Sequence, residues 1–373
     1  MPNPTVGQVA EYLAELAPPE WAESWDNVGL LVGDPGRAAD RILVALELTD
    51  GVVAEAVAGQ AGLVVVHHPP IFRPLKALRF DTAAGRRLER LVREGISAYA
   101  AHTNLDQAQG GTNDTLAAVA GLVDGDVLLR AGEERYVKIV AFVPQGHVEA
   151  VRGALAEAGA GHIGNYSHCS FQTPGTGTFL PLEGTHPFLG QRGRLEYAAE
   201  VRLETIVPEG RTQQAVRALL AAHPYEEVAY DLYPLVNPGR TRGHGRVGQL
   251  ASPTTVEALA LRLREALALA GLRVVGDPER VVSRVAVGAG SGAMLIPHAA
   301  RRGADVLITG DIGYHDARDA ADAGLALIDI GHFNSEVIVV PQVVGYLADR
   351  LSRGGLQAAV VAAEGEQDPF RFL

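Results

Sequence analysis

Apolar positions along this chain follow two different rhythms. Near the start, Val6, Val9, Leu13 and Leu16 recur at helical spacing, with Thr5 placed to cap the first turn and Pro18-Pro19 to stop the last, so residues 5–17 read as a helix. Residues 24–29, Ser-Trp-Asp-Asn-Val-Gly, read as a loop. From residue 42 onward, short unbroken apolar runs alternate with helical stretches. The runs at 42–48, 63–66 and 96–101 read as strands, and 51–59, 82–94 and 113–120 as helices. The same grammar returns late, with strands at 281–287, 305–308 and 325–330, a Gly-rich turn at 288–292 leading into a helix through 302, and a last helix at 335–350. Short continuous apolar strands alternating with helices predict an α/β fold whose mainly parallel sheets are flanked by helices.

Between these stretches the texture changes. A strand at 136–143 ends in Val143-Pro144-Gln145-Gly146 and leads into an Ala-rich helix at 147–158; a strand at 201–207 ends in Val207-Pro208-Glu209-Gly210 and leads into a helix at 211–222. Both helices carry Ala-Val-Arg, and a further strand is read at 228–232. Two strand–helix–strand units of this size predict a ferredoxin-like α+β insert. Turn residues cluster near Gly132 and at Asn237-Pro238-Gly239. The expected organisation is a discontinuous core, residues 1–131 and 239–373, interrupted by an inserted domain at 132–238.

Composition narrows the chemistry. A lone Cys169 excludes a disulfide framework and a thiolate cluster, so any metal must be held by imidazole and carboxylate. The formal net charge of −12, from 32 basic and 44 acidic residues without a basic run, argues against nucleic acid as the main partner. No apolar run reaches a membrane span and the N-terminus has no cationic, apolar leader, so a cytoplasmic protein with no membrane partner is expected.

Three polar clusters follow core strands directly: His67-His68-Pro69-Pro70, His102-Thr103-Asn104-Leu105-Asp106, and Gly331-His332-Phe333-Asn334-Ser335-Glu336. In a parallel sheet the strand C-termini share one edge, where ligands bind in open α/β folds. Adjacent histidines diverge, which suits two neighbouring cations better than one. His332 and Glu336, four apart, share a helix face, and Asp106 adds a second carboxylate able to bridge. His67, His68, Asp106, His332 and Glu336 are thus a candidate N/O ligand set for two divalent ions, with Zn, Fe, Mn, Co and Ni all compatible. His102 and His315 are candidates for supporting or acid–base roles. Asp26 and Asn27 read as loop-capping residues. The run Gly288–Gly292 can cradle a phosphate or form a tight turn; it lacks a P-loop lysine, which favours the turn.

Residues 24–30 (SWDNVGL), 67–72 (HHPPIF), 101–106 (AHTNLD), 304–317 (ADVLITGDIGYHDA) and 328–336 (IDIGHFNSE) resemble the signature blocks of the dinuclear-metal GTP cyclohydrolase 1 type 2-like family, also called NIF-three-like. The blocks occur in family order across the chain, and the central insert is similar to the PII/CutA-like domain of the longer bacterial members. The resemblance implies that His67, His68, Asp106, His332 and Glu336 are the metal ligands, and that the protein is a toroidal hexamer built as a trimer of dimers. Glu47 stands where many family members carry Asp. For function it implies a metal-dependent hydrolase of a nucleotide or other small molecule. A non-catalytic regulatory scaffold and a metal storage or delivery protein remain the alternatives.

Overall fold

The computed structural model describes residues 2–164 and 166–372. Its contacts form two compact units: the residues up to Gly132 together with those from Thr241 onward, and Glu133–Arg240. No helix among the described residues is long and apolar enough to cross a membrane.

The first unit holds two sheets. One contains β1 (Gly29–Val32), β2 (Arg41–Ala45), β3 (Leu63–Val66), β4 (Ser97–Ala100) and β15 (Ala359–Ala362), in the order β1-β4-β3-β2-β15. The last four run parallel to their neighbours, and β1 closes one edge antiparallel to β4. The apolar runs are continuous because both faces are covered. Leu63 and Val65 pack with Val6, Val9 and Leu13 of the first helix and with Val343 and Leu347 of the helix Val339–Arg353. Val64 and Val66 enter the opposite core with Val52, Val53 and Leu91. Each such side chain contributes about 1.5–3 kcal/mol when fully buried. Thr5 caps the first helix through a reciprocal pair of hydrogen bonds with Gln8.

The second sheet contains β5 (Asp126–Glu133), β10 (Thr241–Thr255), β11 (Arg273–Val275), β12 (Val281–Ser291), β13 (Val306–Gly310) and β14 (Ala326–Asp329), ordered β11-β14-β13-β12-β10-β5. Strands β12, β13 and β14 are parallel, while β11 and β10 flank them antiparallel. Val285, Val287, Ile308 and Ile328 pack under Leu116, Leu259 and Leu263; Ala286, Leu307 and Leu327 face Ile296, Ala299 and Ala320.

Strands β1, β5, β10, β11 and β15 are absent from the sequence reading, and two further details of this unit differ from it. The glycine run at 288–292 is not a turn of its own: β12 continues through Ser291, and its register against β13 shifts between Val287 and Ser291, a bulge with Gly290 at φ +68°. The last helix is two, His332–Glu336 and Val339–Arg353. Pro341, which has no N–H to donate, sits in the first turn of the second, where none is needed.

The second unit contains β6 (Tyr136–Pro144), β7 (Ser170–Phe179), β8 (Glu196–Pro208) and β9 (Tyr230–Leu235), in the antiparallel order β7-β8-β6-β9. Its two helices, Val148–Glu157 and Thr212–Ala222, cover one face by packing Val151, Leu155, Ala215 and Leu219 onto Ile139, Ala141, Val143 and Leu203.

Candidate metal centre

The histidine pair is fixed because it extends the β-ladder. The His67 N–H donates to Ala45 and Leu46 carbonyls and the His68 N–H to Leu46. His67 is buried, and its Nδ1 lies 2.8 Å from the Ala101 carbonyl. A carbonyl can only accept, so Nδ1 carries a proton and Nε2 is the nitrogen turned inward. That Nε2 lies 3.6 Å from Asp106 Oδ1 and 3.9 Å from Glu336 Oε1. Both His67 Nε2 and Asp106 Oδ1 are buried without a hydrogen-bond partner.

Glu336 is the hub. Its Oε2 lies 2.9 Å from His68 Nε2 and 3.0 Å from His332 Nε2. Burial pushes its carboxyl up, but the surrounding imidazoles of His332, His67 and His68 overcome this and hold it well below the usual carboxylate range. The same contacts act in reverse on the rings. Burial lowers His68, yet Glu336 and Glu47 raise it to about 10. Glu336, against the effect of burial, raises His332 to about 9 with help from Asp311. His67 is also raised, Asp106 and Glu336 outweighing burial.

Carboxylates on the outer ring nitrogens aim the inner ones. Glu47 Oε1 is 3.1 Å from His68 Nδ1, and Asp311 Oδ2 is 2.7 Å from His332 Nδ1. His102 Nδ1 donates to Asp26 Oδ1 at 2.9 Å, and Thr103 donates to the other Asp26 oxygen from both its N–H and its hydroxyl. Burial opposes ionisation of Asp26, but these hydrogen bonds bring its pKa to about 2. The His102 ring stands edge-on to His67 and His68 at 5.1 and 5.6 Å. Trp25 and Phe72, themselves 5.8 Å apart, wall its outer side.

The structure therefore brings His67, His68, His102, Asp106, His332 and Glu336 together. Donor atoms of His67, His68 and His102, and of His68, His332 and Glu336, each fall within 4.8 Å of one another, and either group can hold a metal ion. His315 is not brought there. It is exposed at the start of the helix Tyr314–Asp322 with its ring against Tyr314 at 5.3 Å, and no hydrogen bond or ion pair among the described residues joins it to the cluster. Asp311, four residues earlier at φ +57°, reaches the cluster from the same segment.

Several contributors carry no simple sequence signal. A Cβ on Gly290 would lie 2.3 Å from Glu336 Oε1, so the bulged glycine makes room for the hub carboxylate. The Gly290 N–H donates to Ser335 Oγ at 2.8 Å. Asn113 accepts from the Ala289 N–H and donates to the Asp106 carbonyl, tying β12 to the Asp106 segment. Glu366 accepts from the N–H groups of Leu46 and Glu47 at 2.8 and 2.7 Å, and burial pushes its own carboxyl up. Asp26, read as a loop cap, accepts from the Asn27 and Thr103 N–H groups as a cap does and in addition orients His102, a role its local sequence does not announce.

A model of the family described as Duf34/NIF3 (NGG1p interacting factor 3) matches residues 4–369. Among curated relatives, the "GTP cyclohydrolase 1 type 2 homolog" of Halalkalibacterium halodurans is 45% identical over 365 residues, covering 98% of both chains. The protein of the same name from Bacillus subtilis is 40% identical over 366 residues, again covering 98% of both. Among solved structures, a Bacillus cereus protein related to NIF3 superposes with a TM-score of 0.82 at 41% identity, covering both chains completely. The chain belongs to the DUF34/NIF3 family.

Proposed function

We propose that this protein is a metal-dependent hydrolase of a nucleotide or other small molecule, built on a centre for two divalent cations. The observation that carries the reading is the buried pair His67 Nε2 and Asp106 Oδ1, which face each other across 3.6 Å with no hydrogen-bond partner. A buried imidazole nitrogen and carboxylate oxygen so placed are costly unless a proton or a metal cation meets them, and 3.6 Å leaves them without a direct hydrogen bond. In this reading His67, His68, Asp106, His332 and Glu336 would hold the two ions between them. Divalent ions there would supply Lewis acidity, polarising a carbonyl or phosphoryl oxygen and lowering the pKa of water. The all-N/O donor set suits Zn, Fe, Mn, Co or Ni.

The chain's own residues supply the rest. Asp26 fixes His102 through Nδ1, and no hydrogen bond among the described residues occupies its Nε2, the arrangement of a proton-transfer group held in one orientation. Trp25 and Phe72 stand beside the His102 ring and offer an exposed apolar surface to a flat substrate. The names of the relatives support trying GTP first. Protein purified with its metals quantified, then assayed against GTP and a panel of phosphoesters, tests the reading. Turnover that follows metal content and falls more than about a hundredfold in His68→Ala supports it. Fully metallated protein that turns over nothing refutes the hydrolase reading and favours the scaffold or storage alternatives.

The same family membership supports a toroidal hexamer, a trimer of dimers. The exposed side chains Phe72, Leu75, Leu78 and Phe80, clustered just after the histidine pair, support a buried assembly surface there. The second unit's strand order, with a helix after β6 and another after β8, supports a ferredoxin-like domain of the PII/CutA type. Light scattering in solution checks the hexamer.

A further inference from the structure

We propose that the second unit, residues 133–240, binds a small organic cation, an amine or guanidinium carried on an apolar body, in a cavity anchored by Glu200. The cavity measures about 590 Å³, within the range of small-molecule sites. Along β8, Val201, Leu203 and Val207 enter the helix-covered core, so Glu200 and Arg202 point to the opposite face, where the cavity lies.

Glu200 is 7% exposed. Its Oε1 accepts from the Tyr225 hydroxyl at 2.9 Å, and its Oε2 lies over Gly177, where a Cβ would come within 2.1 Å. Among the described residues nothing donates a hydrogen bond to Oε2 and no cation forms an ion pair with Glu200. Nearby groups do not remedy this. His223 uses both ring nitrogens, donating through Nε2 to the Phe142 carbonyl and accepting at Nδ1 from the Tyr225 N–H, which fixes it neutral; burial lowers its pKa further. Arg202, the basic residue of the lining, turns its Nε to Glu204, which Lys138 also pairs. Glu226 and Glu227 add further negative charge to the lining.

The remaining wall is aromatic. Phe179 and Phe188 stand against Tyr225 with ring centres 5.9 and 6.2 Å away. Glu226 holds the segment carrying Phe188 by accepting from the His186 N–H at 2.8 Å. A buried carboxylate with an open oxygen beneath aromatic faces selects positive charge on an organic body, because the rings attract cations and the carboxylate requires one when desolvated. Among the described residues no group of three ligand side chains able to hold a bare metal ion forms there, and an anion meets three carboxylates against the one guanidinium of Arg202, which pairs with Glu204 and lies over Phe142.

Calorimetric titration of the full-length protein with phenethylammonium, phenethyl alcohol and hydrocinnamate tests this. Phenethylammonium should bind at least about tenfold more tightly than the alcohol or the acid, and at least about tenfold more weakly to Glu200→Gln. Gly175→Leu, whose side chain points into open space in the cavity wall, should abolish binding while leaving the melting temperature near that of the native protein. Equal affinities for the three probes, unchanged binding by Glu200→Gln, or no binding of phenethylammonium up to about 10 mM overturns the proposal. If Glu200→Gln does not fold, the order of the three probes on the native protein and the Gly175→Leu result decide it. Metal content and hydrolase activity play no part in the readout, so this inference and the metal-centre reading stand or fall separately.

Discussion

Glu336, on a helix of the first unit, and Glu200, on an inner strand of the second, are both buried carboxylates, but their neighbours differ. Glu336 is ringed by imidazoles, whose protons can be exchanged for cations without leaving a charge uncompensated. Glu200 has one phenol and no basic partner among the described residues, so its charge can be met only from outside. The contrast shows what prepares a site for a metal: several basic lone pairs converging on a shared carboxylate, each held by a second group behind it. A lone carboxylate under aromatic rings prepares a site for an organic ligand instead.

The largest expected effect comes from removing the hub charge. Glu336→Gln should lose bound divalent metal by more than about a hundredfold in affinity, beyond the loss typical of outer-shell changes, while Glu200→Gln should leave metal content intact. Elemental analysis after dialysis checks both, and retention of full metal by Glu336→Gln would break the comparison. Gly290→Ala comes next. The left-handed backbone alone costs about 1–2 kcal/mol, and the added methyl displaces Glu336, so both thermal stability and metal loading should fall. A melt with normal metal content would show that the carboxylate has room to move.

The pH response follows from the raised imidazoles. In the metal-free protein His68 and His332 carry protons at neutral pH, with pKa values of about 10 and about 9. Metal binding near about pH 7 must therefore release protons, measurable by calorimetry in two buffers of different ionisation enthalpy. The sign for stability is also fixed. A folded pKa above the ordinary 6.5 contributes stability that is fully present below about 6.5 and lost as pH rises through about 9 and 10. Metal-free protein should lose stability over that window, and metal-loaded protein should not. The smallest effect is at Glu200. Burial, with Glu200 behind it, pushes the Tyr225 phenol up, so Glu200→Gln should bring its titration partly back towards the ordinary value, read by ring carbon shifts in NMR.

Much of the first unit was legible because its strands are buried on both faces. Leu63–Val66 has no polar interruption, and its bounds matched the reading. Helix starts were legible where a Thr caps them, as at Thr5 and Thr82. Strands such as β10, with Gly, Arg, Gln and Ser throughout, escaped because side chains there serve other elements: Arg246 is buried against Asp114 and the Ala108 carbonyl. The cluster was foreseeable in type because His and acidic residues follow strand ends. What could not be read was which neighbour orients which ring. Asp311 and His315 lie four apart in one loop-and-helix segment, and only a backbone at positive φ, unusual for aspartate, selects the first. The cavity around Glu200 was also hidden, since its walls come from separate loops and strands.

Glu336 and His68, joined at 2.9 Å, are 268 positions apart in the chain. During synthesis the histidine pair and Asp106 leave the ribosome first, and the second unit is made before the hub carboxylate exists. At that stage the chain carries His67, His68, His102 and Asp106 but neither His332 nor Glu336, so of the two donor groups only the first is present. The group that contains the hub carboxylate therefore exists only once β12, with its bulged glycine, and the helix bearing Glu336 have been made, so the two halves of the cluster become available to the cell in sequence.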